Sequence, residues 1–410
     1  MDRLVGLVGI AVILGLAVGF STNRKAIRWS LVGWGLGLQL MLALFILKTD
    51  VGRTFFQALG SGVTKLLDFA GEGSAFVFGP LVRDPNMGFI FAFKVLPAII
   101  FVGSLMGIAY YIGLMQAVVS GIARVMVMTM KTSGAESLSA AGTVFVGQSE
   151  APLLIRPYIS EMTESELNAI MTGGMATIAG SVMAAYIGML GPEWAPHLLA
   201  ASIMGAPAGL VMAKLLCPET GEPKTAGTVK LEVEIKESSV IEAAAKGAQD
   251  GMHVAFIVAA MLIGFISLLA LVNAGFALIG DLIHVKGLTL EVILGYLFMP
   301  LTLAMGVPSV DAQTVGSLLG QKIVLNEFVA YGNLAEILKP GGVELTQKAR
   351  TIATYALCGF ANFASIAINI GCIGSLAPER RGDLARLGVR AMCGGALASC
   401  LTATIAGILT

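Results

Sequence analysis

Long apolar runs separated by short charged loops are the feature that most constrains this chain. A helix needs about 20 apolar residues to cross the hydrocarbon core of a bilayer, and eight segments approach or reach that length. They cover residues 4–20, 30–47, 89–118, 166–190, 195–216, 252–275, 350–373 and 389–409. Because backbone in lipid must satisfy its own hydrogen bonds, such runs fold as helices. The sequence therefore predicts an all-α polytopic membrane protein with eight transmembrane helices.

Composition excludes several other classes of protein. Only 13% of the residues are charged, against about a quarter in soluble domains. The 26 basic and 26 acidic residues balance, which argues against a nucleic-acid partner. Five cysteines without paired spacing predict neither a disulfide framework nor a metal cofactor. The lipid bilayer is the expected surrounding, and no cofactor is expected.

The loops predict an orientation. Basic clusters lie at residues 23–28 and 379–386, and the positive-inside rule places such short loops in the cytoplasm. Both termini then face outward. The polar stretch at residues 218–239 falls inside as a linker, because its acidic and basic residues are mixed.

Two apolar regions fit neither a loop nor an uninterrupted span. Residues 119–165 and 276–349 are broken by Gly, Pro, Gln, Asn and Glu. Non-helical backbone survives at membrane depth only where it is buried in protein or lines a wet cavity. We therefore predict two re-entrant hairpins in addition to the eight spans.

The first hairpin places polar side chains in an apolar frame. Gln148, Ser149 and Glu150 occur together within residues 145–154. A carboxylate at membrane depth is costly unless it is paired or wetted, and it marks a functional site by default. The alternative is that Glu150 only ties the hairpin to a neighbouring helix or lies at a cytoplasmic edge.

The second hairpin repeats this pattern, with Asn326 before Glu327. Each hairpin is followed by a span with a small, polar centre, at residues 176–182 and 359–365. This order indicates an internal repeat of inverted topology, with a site near mid-membrane where the repeats meet. Asn362 and Ser365 would point the same way if that turn is helical. Their alternative role is polar packing between helices.

Two rival functions fit the sequence less well. An intramembrane hydrolase would need a metal or nucleophile motif, and the chain has no HExxH or GxSxG. A transporter of an anionic solute would direct basic groups and helix N-termini at its cargo rather than two carboxylates. The pattern favours a neutral, hydroxyl-rich solute, and a symporter for another neutral polar small solute remains the alternative.

Three segments carry a family resemblance. Residues 146–153, 326–331 and 360–365 are similar to the signature segments of concentrative nucleoside transporters, and the similarity runs nearly end to end. The resemblance implies a bacterial inner-membrane symporter for a uridine-like nucleoside, with periplasmic termini, elevator-type alternating access and a homotrimeric assembly. It does not imply an enzyme.

The resemblance also implies a division into scaffold and transport domains. Residues 1–118 would contribute spans one to three to the scaffold, and residues 217–287 would add the linker, span six and a connecting helix. Residues 119–216 would form the first transport repeat, with the first hairpin and spans four and five. Residues 288–410 would form the second, with the second hairpin and spans seven and eight.

Substrate roles are implied by the same resemblance. Base-reading side chains would come from the first hairpin, sugar-binding ones from the second hairpin and the span after it, and apolar ones would pack near the base. The respective residues are Gln148, Ser149 and Glu150; Glu327, Asn362 and Ser365; and Phe360, Leu262 and Val182.

The coupling ion is left open as Na+ or H+. The resemblance places a Na+ site at Thr143, Val146, Thr177 and Ile178. Thr143 departs from the family's usual Asn, and a hydroxyl is a weaker oxygen ligand than an amide carbonyl. A proton taken up by Glu150 or Glu327 is the alternative, because desolvation raises the pKa of a carboxyl group.

Overall fold

The computed structural model describes residues 2–84, 90–227, 237–282, 284–339 and 344–410. Within these ranges the chain is helical, and a single antiparallel bridge joins Ser133 to Ala226. The helices are α1 (Asp2–Gly19), α2 (Trp29–Lys48), α3 (Asp50–Phe78), α4 (Pro80–Arg83), α5 (Phe91–Lys94), α6 (Leu96–Tyr111), α7 (Leu114–Met130), α8 (Gly134–Gly142), α9 (Glu164–Ala176), α10 (Gly180–Leu190), α11 (Ala195–Leu216), α12 (Val240–Leu282), α13 (Leu290–Ala304), α14 (Ala312–Val324), α15 (Glu327–Leu338), α16 (Gln347–Leu357), α17 (Phe363–Leu376) and α18 (Arg381–Leu409).

Six helical segments of the described residues are long and apolar enough to cross a membrane. The all-α membrane architecture predicted from the sequence is therefore confirmed, and the number of crossings stays a prediction. Helices α1, α2, α11 and α18 agree with predicted spans within a few residues, except that α18 begins eight residues earlier. α12 runs over 43 residues and is much longer than the predicted 252–275.

The predicted span at 89–118 is too long at its C-terminal end, and residue 89 lies outside the described residues. Helix α6 ends at Tyr111, and Gly113 adopts a left-handed conformation with φ of 80° before α7 begins. Glycine accepts this backbone without steric cost. The chain therefore turns at Gly113, and the apolar run that continues across it belongs to a second helix.

Two predicted spans are broken in the middle. Residues 177–179 separate α9 from α10, and residues 358–362 separate α16 from α17. Gly359 has φ of 149°, and a Cβ added there would lie 2.8 Å from the Met175 carbonyl oxygen. The two breaks therefore approach each other closely, and the second needs glycine both for its backbone angle and for space.

The first interrupted region, 119–165, contains more than a hairpin. Its first part forms most of α7, which has one exposed face. The hairpin proper consists of α8, a turn at residues 143–150 and a 3-10 helix at Ala151–Glu161. Ser133 and Glu136 form a capping box at the start of α8. The capping box defines where α8, the first arm of the hairpin, begins.

The second region, 276–349, is also more complex than predicted. It includes the end of α12 and the separate helix α13, and residues 283 and 340–343 lie outside the description. The hairpin proper is α14 and α15, with its tip at residues 325–326. Asn326 caps α15 by accepting a hydrogen bond from the Val329 amide at 3.0 Å. After this hairpin the order matches the first repeat: a broken span and then a long final helix.

Helix α3 was not predicted. Its polar residues, among them Lys65, Asp68 and Glu72, recur at intervals of three to four along 29 residues, so no apolar window marks a span. It packs against α2, α6 and α11. The sequence signal that indicates this helix is the helical periodicity of its polar and apolar residues, rather than an apolar stretch of span length.

The predicted linker at 218–239 is attached to the first hairpin over its described residues, while residues 228–236 lie outside them. The Gly134 amide donates to the Thr225 carbonyl at 2.8 Å, and Glu219 accepts from Thr163 at 2.9 Å. Lys214 at the end of α11 lies 2.6 Å from Glu136 and 3.3 Å from Glu219, all buried. The segment therefore fastens α8, α9 and α11 together at one end of the first repeat.

Lys214→Met is expected to destabilise the protein by about 3–5 kcal/mol, because it leaves buried carboxylates without their cation. A lower midpoint of thermal unfolding in detergent would be the sign. Lys339→Met is the matched control, since its pair with Glu336 is solvent-exposed and worth about 1 kcal/mol or less. Equal midpoints for the two variants would contradict the role assigned to Lys214.

Candidate functional site

A cavity of about 720 Å³ lies between the two hairpins, the two broken spans and α12. Pockets for small molecules typically measure about 300–1,000 Å³, so it has room for one. Its lining includes all nine substrate residues expected from the sequence: Gln148, Ser149, Glu150, Val182, Leu262, Glu327, Phe360, Asn362 and Ser365. Residues far apart in the chain are thus gathered on one surface.

Glu327 is the buried carboxylate of the cavity wall, with 4% of its surface exposed. It is the first residue of α15, where the helix dipole favours a negative charge. Tyr186 donates its hydroxyl to one carboxylate oxygen at 3.0 Å, and the Asn362 amide donates to the other at 2.9 Å. Each oxygen keeps further acceptor capacity, so Glu327 can accept additional hydroxyl donors from the cavity.

Asn362 is the N-cap of α17 rather than a residue within a helical turn. Its side-chain oxygen accepts from the Ser365 amide at 2.9 Å, while its amide nitrogen reaches Glu327. The expected alignment of Asn362 with Ser365 required a helical turn, and Asn362 instead has an extended backbone. The capping bond brings the two residues together instead.

Gln148 connects the first hairpin to the broken span of the second repeat. Its amide nitrogen donates to the Ser365 hydroxyl at 2.9 Å, and its oxygen accepts from Asn369 at 2.8 Å. A Cβ added at Gly174 would lie 2.8 Å from Gln148 Cβ, so the small residue permits this approach. The amide is thereby held in one orientation at the cavity wall.

Glu150 differs from Glu327 in its surroundings. Its side chain is exposed to the cavity, and its carboxylate accepts a hydrogen bond from the Gly147 backbone amide. On the other side of the cavity α12 carries Lys246, Asp250 and His253, with Lys246 and Asp250 2.6 Å apart. Glu150 is therefore available to water or ligand.

The four residues expected to hold a cation lie where the first hairpin meets the first break. The Thr177 hydroxyl donates to the Thr143 carbonyl at 3.0 Å, and Val146 and Ile178 are buried beside them. Ser202 of α11 adds a hydroxyl 3.4 Å from both the Val144 and Ile178 carbonyl oxygens. Such hydroxyl and carbonyl oxygens are the ligands that hard cations prefer.

Sequence reasoning missed several residues of this site. Tyr186 and Asn369 contact predicted site residues directly, and Ser202 joins the oxygen cluster. Each lies in an otherwise apolar or small-residue helix, so a single polar side chain there gave no pattern to detect. Asp250 lies just before the predicted span at 252–275, and His253 is an isolated histidine without a ligand pattern in the sequence.

Comparison with protein families covers nearly the whole chain. Residues 8–81 match the N-terminal part of the Na+ dependent nucleoside transporter family, and residues 197–407 match its C-terminal part. Residues 92–193 match the nucleoside-recognition gate family. The gate match contains the first hairpin and first broken span, and the C-terminal match contains the second of each.

Curated relatives agree with these matches. An uncharacterized transporter of Haemophilus influenzae is 45% identical over 412 aligned residues, covering the whole chain and 98% of the relative. Sodium/nucleoside cotransporter 1 of Rattus norvegicus is 44% identical across the whole chain. The chain spans 64% of the length of that rat protein.

Solved structures show the same fold. The transporter CNTnw in an inward-facing, substrate-bound state superposes with a TM-score of 0.94 at 42% identity, covering 100% of this chain and 98% of the other. A variant of CNTnw in an outward-facing state gives a TM-score of 0.96 at 43% identity, covering 100% and 99%.

Proposed function

Since the chain belongs to the Na+ dependent nucleoside transporter family and is a nucleoside cotransporter rather than an enzyme, we propose that its substrate site is the cavity between the hairpins. The observation that carries this proposal is the buried Glu327, fixed by Tyr186 and Asn362 with acceptor capacity left toward the cavity. Structures of a family member in inward- and outward-facing states support alternating access.

The ribose is assigned to Glu327, Asn362 and Ser365. Vicinal sugar hydroxyls are donors, and hydrogen bonds to an ionised carboxylate are stronger than those between neutral groups. A solute without these hydroxyls would leave the carboxylate desolvated and unpaired, which is a strong basis for rejection. This end of the cavity therefore selects nucleosides over free bases.

The base is assigned to Gln148, Ser149 and Glu150, with Phe360, Leu262 and Val182 packing near it. Gln148 is already held by Ser365 and Asn369, so its amide is oriented before substrate arrives. Glu150 is open to the cavity and would act partly through water. A uridine-like nucleoside is the substrate proposed.

The coupling ion proposed first is Na+, in keeping with the family's Na+ dependence. Thr143, Val146, Thr177 and Ile178 would surround it with hydroxyl and carbonyl oxygens. The Thr143 hydroxyl donates to the Ala140 carbonyl at 2.9 Å and so contributes less than an amide oxygen would. A proton carried by Glu150 or Glu327 is therefore kept as the alternative.

The remaining proposals concern mechanism and assembly. Residues 1–118 and 217–287 would form a scaffold, and residues 119–216 and 288–410 a transport domain that moves by an elevator motion. Helix α18 packs against α9, α11 and α16 of the proposed transport domain and also against α1 and α2 of the proposed scaffold, so the division rests on the family resemblance. We also propose a homotrimer in a bacterial inner membrane with periplasmic termini.

Binding assays test the substrate class. Purified protein is expected to bind uridine and adenosine, and to bind free uracil and ribose at least about tenfold more weakly, because neither half engages both ends of the cavity. Thermal stabilisation by each ligand is the measurement. Binding of another polar solute in preference to every nucleoside would refute the assignment.

Uptake into proteoliposomes tests the coupling ion. With a Na+ gradient imposed and pH equal on both sides, we expect labelled uridine to accumulate. A pH gradient without Na+ should then drive no accumulation. The reverse result would assign the coupling to a proton on Glu150 or Glu327 and contradict the Na+ proposal.

A further inference from the structure

Lys322 is a buried cation to which the proposed mechanism gives no role. It lies in the last turn of α14, within the second hairpin, and none of its surface is exposed. Its ammonium donates to the Ala356 carbonyl at 2.8 Å and to the Ser399 hydroxyl at 3.0 Å. Neither hydrogen-bond partner is a carboxylate, and the carboxylate of Glu327 attracts the ammonium electrostatically without a hydrogen bond or ion pair between them among the described residues.

The position of the ammonium explains how the charge is tolerated. Ala356 is the second-to-last residue of α16, so its carbonyl has no partner within the helix. The C-terminal end of a helix also carries the negative end of the helix dipole, which favours a cation. Ser399 of α18 in turn donates to the Cys358 carbonyl at 3.1 Å. Lys322 therefore satisfies a carbonyl group at the C-terminal end of α16, where the span is broken.

The first repeat shows the same arrangement without a lysine. There the break follows α9, and Ser202 of the final helix α11 reaches the Ile178 carbonyl, as Ser399 of α18 reaches Cys358. The hairpin contributes the Thr143 and Val144 carbonyl oxygens, which contact Thr177 and Ser202. The described ligands at this place are all oxygens, with no side-chain cation among them.

We propose that Lys322 is a tethered cation that occupies, in the second repeat, the position corresponding to the coupling-ion site of the first. It joins the second hairpin to the second break, as a cation bound at the proposed site would join the first hairpin to the first break. Since Asn362 begins the helix on the far side of that break, Lys322 acts as a positioning residue for the ribose end of the cavity. This inference rests on the proposed cation site of the first repeat.

One consequence is a fixed ion requirement. The second repeat carries its own positive charge on Lys322. One external cation per nucleoside, bound between the first hairpin and the first break, is therefore sufficient. Shortening Lys322 to alanine would leave the Ala356 carbonyl and Ser399 hydroxyl facing an empty space. That space would accept a free small cation.

The test compares wild type, Lys322→Ala and Lys322→Met in detergent and in proteoliposomes. We expect both variants to bind uridine about 10- to 100-fold more weakly, because buried polar partners lose their donor. Ethylammonium should restore binding by Lys322→Ala, and Na+ dependence in that variant should become steeper than in wild type. Lys322→Met is the matched control, since its side chain fills the space and admits no added cation.

Wild-type affinity and Na+ dependence in Lys322→Ala would overturn the proposal, as would a loss that neither ethylammonium nor Na+ repairs. If Lys322→Ala does not fold, Lys322→Gln takes its place, because it keeps a neutral donor. Unchanged Na+ dependence in Lys322→Gln would overturn the proposal equally.

Wild type measured in parallel separates failure of the proposed function from failure of the Lys322 inference. Absence of uridine binding by wild type contradicts the proposed function, whereas normal binding with an unaffected Lys322 variant contradicts only this inference.

Discussion

Glu327→Gln is expected to lower kcat/KM for uridine uptake by about 100-fold or more. The substitution keeps the shape of the side chain but removes the negative charge, so hydrogen bonds from the sugar lose their charge assistance. Such bonds are worth about 1.5–3 kcal/mol each, and about 1.4 kcal/mol corresponds to a factor of ten. With two vicinal hydroxyls on one carboxylate, the loss is large even if Tyr186 and Asn362 stay in place.

A substrate without the hydroxyls isolates the cause. Wild type should transport 2′,3′-dideoxyuridine poorly, and Glu327→Gln should reduce that residual rate far less than it reduces uridine uptake. Glu150→Gln is the matched control in the same cavity: its loss should be similar for both substrates, since it is assigned to the base. Equal proportional losses of the two substrates in Glu327→Gln would remove the ribose assignment.

Asn362→Ala should reduce uridine uptake by a comparable factor, about 100-fold, for two reasons. It removes the N-cap of α17, which typically costs about 0.5–2 kcal/mol. It also removes the amide that donates to Glu327, so one oxygen of this buried carboxylate loses a hydrogen bond. Uptake in proteoliposomes and thermal unfolding in detergent measure the two effects.

Asn362→Ser separates capping from recognition. A serine can cap α17 in place of the asparagine, but its short side chain carries no amide to reach Glu327. We therefore expect thermal stability close to wild type and transport close to Asn362→Ala. Recovery of both properties in Asn362→Ser would show that the residue acts only as a cap, and the ribose role would then fail.

The general architecture could be predicted from local sequence alone. Apolar length decides which segments enter a bilayer, because each residue's transfer from water to lipid is set by its own chemistry. Polar residues such as Glu150 and Glu327 stand out against that background because membrane depth makes them costly. The polar candidates were therefore identifiable before any contact was known, whereas Phe360, Leu262 and Val182 follow from the family resemblance alone.

Helix boundaries and breaks were predictable only in part. The polar centres of the two broken spans were visible, yet the turn at Gly113 and the separate helices α7 and α13 were not. An apolar run has the same composition whether it continues straight or turns at a glycine. Helix α3 escaped for the opposite reason, since its periodic polar residues keep it below any threshold for a span.

The chain's chemistry determined that it is a helical membrane protein with two carboxylates set in repeated polar segments. Only the tertiary structure decided what each carboxylate contacts: Tyr186 and Asn362 hold Glu327, while Glu150 stays open to the cavity. The same holds for Lys322, which is one lysine in an apolar hairpin by sequence and a cation at the end of α16 in the fold. Contacts of this kind join residues distant in the chain, so they follow from how the two repeats pack rather than from any local pattern.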